Sequence, residues 1–127
     1  GAALLDMTRF HLLSIGSIWT PEYGSPEVPE EFEWLYAYSP YHQVVEGTEY
    51  PAVLLETGDT DTRVHPSHSL KMAAKLQAAT ASDRPILLRF ERQAGHAGGT
   101  AGPGKLVSAT GRSGAAAAKV LVLTAGT

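Results

Sequence analysis

The sequence predicts an α/β fold, in which short apolar strands alternate with helices, and three observations lead to this prediction. Residues 51–56 and 86–90 are short apolar runs flanked by turn residues, as expected for buried strands. Between them, Pro66 begins a stretch of helical periodicity that continues to about Thr80, and proline suits the first position of a helix. Polar residues follow each run, at the carboxyl end of the predicted strand. Open α/β sheets bind their ligands at this end of the strands.

The residues ahead of the first run predict a strand end, two helices and an irregular connection. Residues 1–5 are expected to end a strand, and Asp6 is expected to cap a helix that starts with Met7. Residues 18–28 contain two prolines and a glycine and are expected to be irregular. Residues 29–38 predict a helix with acidic residues near its positive N-terminal end. The side chains of this helix that are expected to pack are Phe32, Trp34, Leu35 and Tyr38.

The charge is unevenly distributed, which divides the chain into two segments. All 13 acidic residues lie at or before Glu91, whereas four of the ten basic residues follow it. We therefore expect residues 1–100 to belong to one folded unit and residues 101–127 to form a divergent tail rich in glycine and alanine. Residues 105–123 of this tail predict a terminal helix, although glycines interrupt its first half and its second half also suits a strand.

Composition limits the functional classes. A chain of 127 residues suits at most one domain, and the absence of cysteine argues against a disulfide framework or a thiolate metal site. The net charge of −3 does not point to a nucleic acid or a membrane as partner, and no apolar stretch approaches the length of a transmembrane helix. We expect a cytoplasmic protein, with the periplasm as the alternative. Because the chain begins without methionine inside an apolar run, we also expect it to be part of a longer protein.

Two loops carry the candidate catalytic residues. Gly58 ends the first apolar run and is followed by Asp59 and Asp61, and His96 lies in a glycine-rich loop after the second run. A catalytic histidine needs an acceptor on one ring nitrogen, so that the other nitrogen can take a proton from a nucleophile. An acid after one strand and a histidine after the next is the order found in α/β-hydrolases. From this pattern alone, either aspartate is a candidate for the acid.

Other site chemistries fit these residues less well. Asp59-x-Asp61 has the spacing of a calcium loop, but the required glycine is absent. His65 and His68 have helical spacing for metal ligands, yet no third ligand is evident. Residues 111–115 nearly match the G-x-S-x-G nucleophile motif, but they end in alanine and lie after the histidine. We therefore expect no metal, no cofactor and no nucleophile ahead of Asp61.

Four stretches together resemble the prolyl oligopeptidase family of serine peptidases. They are DMTRFHLLSIGSIWTPEY (residues 6–23), FEWLYAYSP (residues 32–40), YPAVLLETGDTDTRVHPSHSLK (residues 50–71) and Gly95-His96. The stretches occur in the family's order with similar gaps. The resemblance implies that residues 1–100 are the C-terminal part of a peptidase catalytic domain. The implied fold is an incomplete C-terminal portion of an α/β-hydrolase, a parallel sheet with flanking helices.

The resemblance also implies roles for individual residues. It makes Asp61 the acid and His96 the base of a catalytic triad, and it assigns Arg63 to a backbone carbonyl of the substrate. The residues that it implies for the substrate pocket are Leu4, Trp19, Tyr23 and Val64. Proline has no N–H to donate, so a pocket for it must select by shape and apolar contact, and the flat indole of Trp19 suits a pyrrolidine ring.

The function implied by the resemblance is that of a serine-type endopeptidase that cleaves short peptides after proline. Its partners would be a proline-containing peptide, the N-terminal part of the catalytic domain and a β-propeller that restricts access. Since the serine would lie in that N-terminal part, we expect this chain alone to be inactive. The alternatives are an oligopeptidase B or acylaminoacyl peptidase, against which Trp19 and Tyr23 favour proline selection, and a non-catalytic α/β fragment.

Overall fold

The computed structural model describes residues 3–92, 95–96, 105–109 and 121–123 of the chain. Within these residues, four strands form one sheet in the order β1-β2-β3-β4. The strands are β1 (Val53–Gly58), β2 (Ile86–Glu91), β3 (Lys105–Ala109) and β4 (Leu121–Leu123). Strands β1 and β2 are parallel, with Val53 opposite Ile86, whereas β3 and β4 run antiparallel to their neighbours.

Two 3₁₀ helices and three α-helices accompany the sheet in the described part of the chain. The 3₁₀ helices are Phe10–Leu12 and Gly16–Trp19, and the α-helices are α1 (Thr20–Tyr23), α2 (Pro29–Tyr38) and α3 (Ser67–Ala79). Helix α3 connects β1 to β2, as a parallel pair requires, and packs against both strands. The side-chain amide of Gln77 in α3 donates to the carbonyl oxygen of Ile86 at 3.1 Å. None of these helices is both long enough and apolar enough to cross a lipid bilayer.

Two groups of buried apolar side chains hold these elements together. Met7, Phe10 and Leu35 form a cluster, against which Leu4 and Trp19 pack. The other group lies on helix α3 and strand β2 and comprises Ala73, Leu76, Ala79, Ile86 and Leu88. The first group ties the N-terminal segment to α2, and the second lies between α3 and the sheet. Burial of such side chains is the main favourable contribution to folding.

Gly16 permits the tight connection between the two 3₁₀ helices. Its N–H donates to the carbonyl oxygen of Leu13 at 2.9 Å. A Cβ atom at this position would overlap the carbonyl oxygen of Phe10. Ser14, two residues earlier, has a φ of 51°, which lies in the left-handed region that few residues other than glycine adopt. This turn carries the chain from the buried Phe10 to Trp19.

The central elements agree with the sequence-based predictions. The predicted helix over Pro29–Tyr38 is confirmed as α2, and the helix that was expected to begin at Pro66 is confirmed as α3, for which Pro66 is the N-cap. The two predicted strands are confirmed as β1 and β2, which are parallel. The packing predicted for α2 is largely wrong. Of the four side chains expected to pack, only Leu35 is buried, and Phe32, Trp34 and Tyr38 are exposed.

The N-terminal segment differs from its prediction. Residues 3–5 are not in a strand, and Asp6 does not cap a helix. Its carboxylate instead accepts hydrogen bonds from the N–H and the hydroxyl of Thr8, at 3.2 and 2.9 Å, because a short acidic side chain readily bonds to backbone two residues ahead. Residues 18–28, expected to be irregular, contain the short helix α1, whose first turn accommodates Pro21.

The terminal helix predicted over residues 105–123 is wrong for residues 105–109, whereas the strand that its second half also suited is found at residues 121–123. Residues 105–109 and 121–123 are the strands β3 and β4, and residues 110–120 lie outside the described residues. The free edge of β2 offers backbone donors and acceptors to a further strand, which outweighs a weak helical pattern. That residues 101–127 form a separate divergent tail stays a prediction.

Candidate active site

Asp61 and His96 are brought together by the loops that follow the two parallel strands. The Nδ1 atom of His96 lies 3.1 Å from Oδ2 and 3.2 Å from Oδ1 of Asp61. The carboxyl ends of parallel strands meet at one edge of the sheet, so residues 35 apart in sequence become neighbours. The Asp61 side chain is 1% exposed and that of His96 is 38% exposed. The pair is therefore a buried acid with a histidine that faces solvent.

The Asp61 carboxylate also stabilises the loop on which it lies. Its Oδ1 accepts the N–H groups of Arg63 and Val64, both at 2.9 Å. Burial alone would raise the pKa of Asp61, but the hydrogen bonds from Val64, His96 and Arg63 outweigh burial and lower it. Asp61 is consequently a carboxylate at neutral pH and acts only as an acceptor. Nδ1 of His96 must then carry the hydrogen between them, which leaves Nε2 as the ring nitrogen able to accept a proton.

A cavity of about 530 Å³ opens beside this pair, and we call it the Trp19 cavity. Its lining residues are Leu4, Met7, Trp19, Tyr23, Tyr38, Arg63, Val64 and His96. The volume lies within the range of about 300–1,000 Å³ that is typical of small-molecule sites. Apolar, aromatic and cationic side chains thus surround a space that the imidazole of His96 also borders.

The residues that line the Trp19 cavity fall into three groups. Arg63, Val64 and His96 form what we call the Asp61 wall, because Asp61 bonds to all three. Leu4, Met7 and Tyr38 form a second group, which we call the Asp6 wall. The remaining two lining residues are Trp19 and Tyr23.

Two aromatic side chains of the cavity, those of Tyr23 and Trp19, contact the cluster around Phe10. The ring of Tyr23 meets that of Phe10 edge-on, at 5.9 Å between centroids. Trp19 packs against the cluster that contains Phe10. Burial and the neighbouring Tyr23 raise the pKa of Tyr38, so its phenol keeps its proton at neutral pH and can donate a hydrogen bond.

The structure brings together the site residues that the sequence suggested. Asp61 and His96 pair, and the five predicted substrate-binding residues all line the Trp19 cavity: Leu4, Trp19, Tyr23, Arg63 and Val64. Sequence reasoning missed Met7 and Tyr38 as lining residues. Both lie within the stretches that carry the family resemblance, which was the available signal.

The alternative site chemistries find little geometric support. Nδ1 of His65 lies 2.9 Å from the hydroxyl of Ser67. His68 is buried, and its Nδ1 accepts the N–H groups of Leu5 and Asp6 at 3.3 and 3.1 Å. Among the described residues, no group of three or more acidic, histidine or cysteine side chains is arranged to hold a metal ion. The near match to a nucleophile motif at residues 111–115 lies outside the described residues.

The chain resembles known proteins of the prolyl oligopeptidase family. Residues 1–110 match the prolyl oligopeptidase family. A prolyl endopeptidase of Elizabethkingia miricola is 45% identical over 100 residues, which cover 78% of this chain and 14% of that protein. A prolyl oligopeptidase A of Amanita bisporigera is 40% identical over 115 residues, which cover 90% of this chain and 15% of that protein.

Solved structures agree with this assignment. A structure from a study of two prolyl endopeptidases matches 75% of this chain and 14% of its own, with 48% identity and a TM-score of 0.72. A prolyl oligopeptidase B of Galerina marginata bound to a 25mer macrocyclization substrate matches 76% of this chain and 14% of its own, with 35% identity and a TM-score of 0.68. The chain thus spans about one seventh of the length of such relatives. It belongs to the prolyl oligopeptidase family, and it corresponds to the C-terminal part of the α/β-hydrolase catalytic domain.

Proposed function

We propose that this chain supplies the acid, the base and most of the substrate pocket of a serine-type peptidase that cleaves short peptides after proline. The observation that carries the proposal is the 3.1 Å contact between Asp61 and His96 at the edge of the Trp19 cavity. A general base must lie within reach of both its orienting acid and the bound substrate. His96 meets both conditions, because it contacts Asp61 and lines the cavity.

In this mechanism His96 works in two steps. Its Nε2 first takes the proton of the nucleophilic serine, which attacks the scissile carbonyl carbon, and then gives that proton to the leaving amine. Asp61 holds the imidazole in the required tautomer and stabilises the imidazolium that forms between the steps. The 127 residues contain no G-x-S-x-G ahead of Asp61, so the serine comes from a part of the enzyme outside them.

The Trp19 cavity binds the substrate residue on the acyl side of the scissile bond. Proline cannot donate a backbone hydrogen bond, and its ring presents two apolar faces, so the indole of Trp19 and the side chain of Val64 recognise it by contact. The guanidinium of Arg63 has five N–H donors, which suit a backbone carbonyl of the peptide. The names of the relatives, prolyl endopeptidase and prolyl oligopeptidase, support proline as the residue selected.

A chimera tests this proposal directly. The matching C-terminal stretch of the Elizabethkingia miricola prolyl endopeptidase is replaced by this chain, and hydrolysis is measured with two chromogenic peptides that have proline or alanine before the scissile bond. We expect cleavage with a clear preference for proline. His96→Ala should reduce kcat by about 10⁴-fold or more, as loss of a triad member does in other serine peptidases.

His65→Ala is the matched control, because His65 is exposed in the same region and its Nδ1 contacts Ser67 rather than Asp61. This variant should keep most of the activity. The chain alone should not react with a serine-directed phosphonate, whereas the chimera should. Stoichiometric labelling of the chain alone, or a chimera that folds but cleaves neither peptide, would contradict the proposal.

A further inference from the structure

Asp6 is a second buried carboxylate, which the proposed chemistry does not use. Its side chain is 2% exposed, and its Oδ2 accepts a hydrogen bond from Nζ of Lys71 at 2.6 Å, across 65 positions of sequence. Its Oδ1 accepts the two hydrogen bonds from Thr8. Arg9 and His42 contribute longer ion-pair contacts, at 3.5 and 3.9 Å. A buried charge of this kind costs free energy unless it is paired and hydrogen-bonded, and Lys71 is its shortest partner.

The backbone around Asp6 is fixed by side chains from other elements. The N–H of Asp6 donates to Nδ1 of the buried His68 on α3. The N–H of Met7 donates to the hydroxyl of Ser39, the residue directly after α2, at 3.0 Å. The carbonyl oxygen of Leu5 accepts the N–H of Tyr41 at 2.8 Å. The segment that carries Asp6 is thus attached to α3 on one side and to the end of α2 on the other.

The anchored residues are close in sequence to residues that line the Trp19 cavity. Leu4 and Met7 flank Asp6 in sequence, and Tyr38 directly precedes Ser39, so all three residues of the Asp6 wall lie within two positions of an anchored residue. Lys71 also lies over the ring of Tyr41, at 4.5 Å from its centroid, which connects the same helix to the segment after α2. These contacts attach the Asp6 wall to α3 and to the end of α2, so its position depends on both elements.

We propose that Asp6 and Lys71 are a positioning pair, which holds the Asp6 wall in place and thereby sets how strongly the Trp19 cavity selects its substrate residue. Neither residue touches the substrate. The role rests on the proposed function, because it presumes that this cavity receives the residue before the scissile bond. Burial raises the pKa of Asp6, but hydrogen bonds from Lys71 and Thr8 together with the charges of Lys71 and His42 lower it to about 2, which keeps the Asp6 carboxylate ionised at neutral pH.

The first test uses the chimera with Asp6→Asn and, separately, Lys71→Met. We expect the proline-to-alanine ratio of kcat/KM to fall about tenfold, mainly through a higher KM for proline, because small misplacements of binding groups are costly. The rate of labelling by a phosphonate without a proline residue should stay near that of the parent chimera, since Asp61 and His96 are untouched. Lys71→Arg, which keeps the charge, should retain most of the preference.

Lys75→Met is the matched control. Lys75 lies one turn further along α3, over the same Tyr41 ring at 4.4 Å, and donates to the carbonyl oxygen of Tyr41 at 2.6 Å. Its loss should change stability without changing the proline-to-alanine ratio. If Lys75→Met and Lys71→Met lower the ratio equally, the pair has no special positioning role. An unchanged ratio in Lys71→Met and Asp6→Asn would overturn the proposal as well.

A second measurement does not depend on activity. This chain contains two tryptophans, so in the chain by itself a Trp34→Phe background leaves Trp19 as the source of tryptophan fluorescence. Lys71→Met should shift this emission to longer wavelength and increase its quenching by acrylamide, and Lys75→Met and Lys71→Arg should not. Equal spectra in all variants would overturn the positioning role. A parent chimera without proline preference would instead contradict the proposed function, and the fluorescence would still decide the role of the pair.

Discussion

Two buried aspartates support two groups of residues that line one cavity, and they differ in the residue that each one contacts. Asp61 contacts His96, and Asp6 contacts Lys71, with the short distances of 3.1 and 2.6 Å. The carboxylates are almost equally buried, and their pKa values are both lowered because hydrogen bonds outweigh the effect of burial. Burial and a shifted pKa are therefore insufficient to distinguish an acid of a catalytic site from an acid that fixes structure.

The residue that each aspartate contacts determines whether the pair can transfer a proton. A lysine ammonium has three donors and no acceptor, so the pair of Asp6 and Lys71 has no route for moving a proton near neutral pH. An imidazole that donates through one nitrogen still has a second nitrogen that accepts, and His96 presents it beside a cavity. Perturbed carboxylates mark candidate sites only when a group able to exchange a proton lies next to them.

The largest expected effect is a loss of kcat, which should distinguish Asp61 from Asp6. In the chimera, Asp61→Asn should lower kcat by about 10⁴-fold, because an amide can donate where the imidazole needs an acceptor and so favours the wrong tautomer. Asp6→Asn should leave kcat within about tenfold, because it affects only the position of the cavity wall. Steady-state kinetics with the proline peptide measures both, and circular dichroism checks that the variants are folded.

Asp59→Asn provides the control for Asp61→Asn, because Asp59 lies on the same loop and is exposed. A carboxylate in a turn is worth about 1 kcal/mol of stability, so this change should have little effect on turnover. If Asp59→Asn abolished turnover and Asp61→Asn did not, the acid would be Asp59. Small effects of both changes would mean that another group orients His96.

The next effect concerns stability and its dependence on pH. Because the pKa of Asp6 is lowered from 3.8 to about 2, its ionised form stabilises the folded state by about 2 kcal/mol above pH 4. This stabilisation should be lost as the pH falls from about 4 through 2, since the unfolded state takes up a proton first. Urea unfolding of the chain and of Asp6→Asn should differ at pH 6 and converge near pH 2. A difference that did not vary with pH would show that the ionised form is not responsible.

The smallest effect probes the space between the two walls. Trp19→Ala in the chimera should lower kcat/KM for the proline peptide at least about fivefold more than for the alanine peptide, because an aromatic contact is worth about 1 kcal/mol beyond the area it buries. Trp34→Ala is the control, since Trp34 is 60% exposed on α2 and does not line the cavity. Equal losses for both peptides would assign Trp19 to the core rather than to recognition.

The sequence predicted the elements whose signals are local. Helix α2, helix α3 and the strands β1 and β2 each have their own periodicity or apolar run, and Asp61 and His96 were found because strand ends carry ligand chemistry. The choice of Asp61 over Asp59 came from the resemblance, since the pattern alone left both open. Local signals failed for Asp6, which was expected to cap a helix.

The network around Asp6 was beyond sequence reasoning for a physical reason. Its partner Lys71 lies 65 positions away, and neither residue has a motif that indicates a tertiary ion pair. Strand β3 was missed because the edge of β2 determines it, which tertiary context supplies and local propensity does not. For residues 121–123 the pattern left helix and strand open, and pairing with β3 makes them strand β4. The exposed rings of α2 were misjudged because a helix with apolar residues on several sides does not indicate which side is covered.

Gly16 shows how selection would act on a position that has no chemistry of its own. Every side chain there would collide with the carbonyl oxygen of Phe10, so only glycine preserves the turn that leads to Trp19. Across a population of variants, this position would tolerate as little change as Asp61. An invariant glycine at this position would record a lack of space rather than a contact to the substrate, so inhibitor design would gain nothing by targeting it.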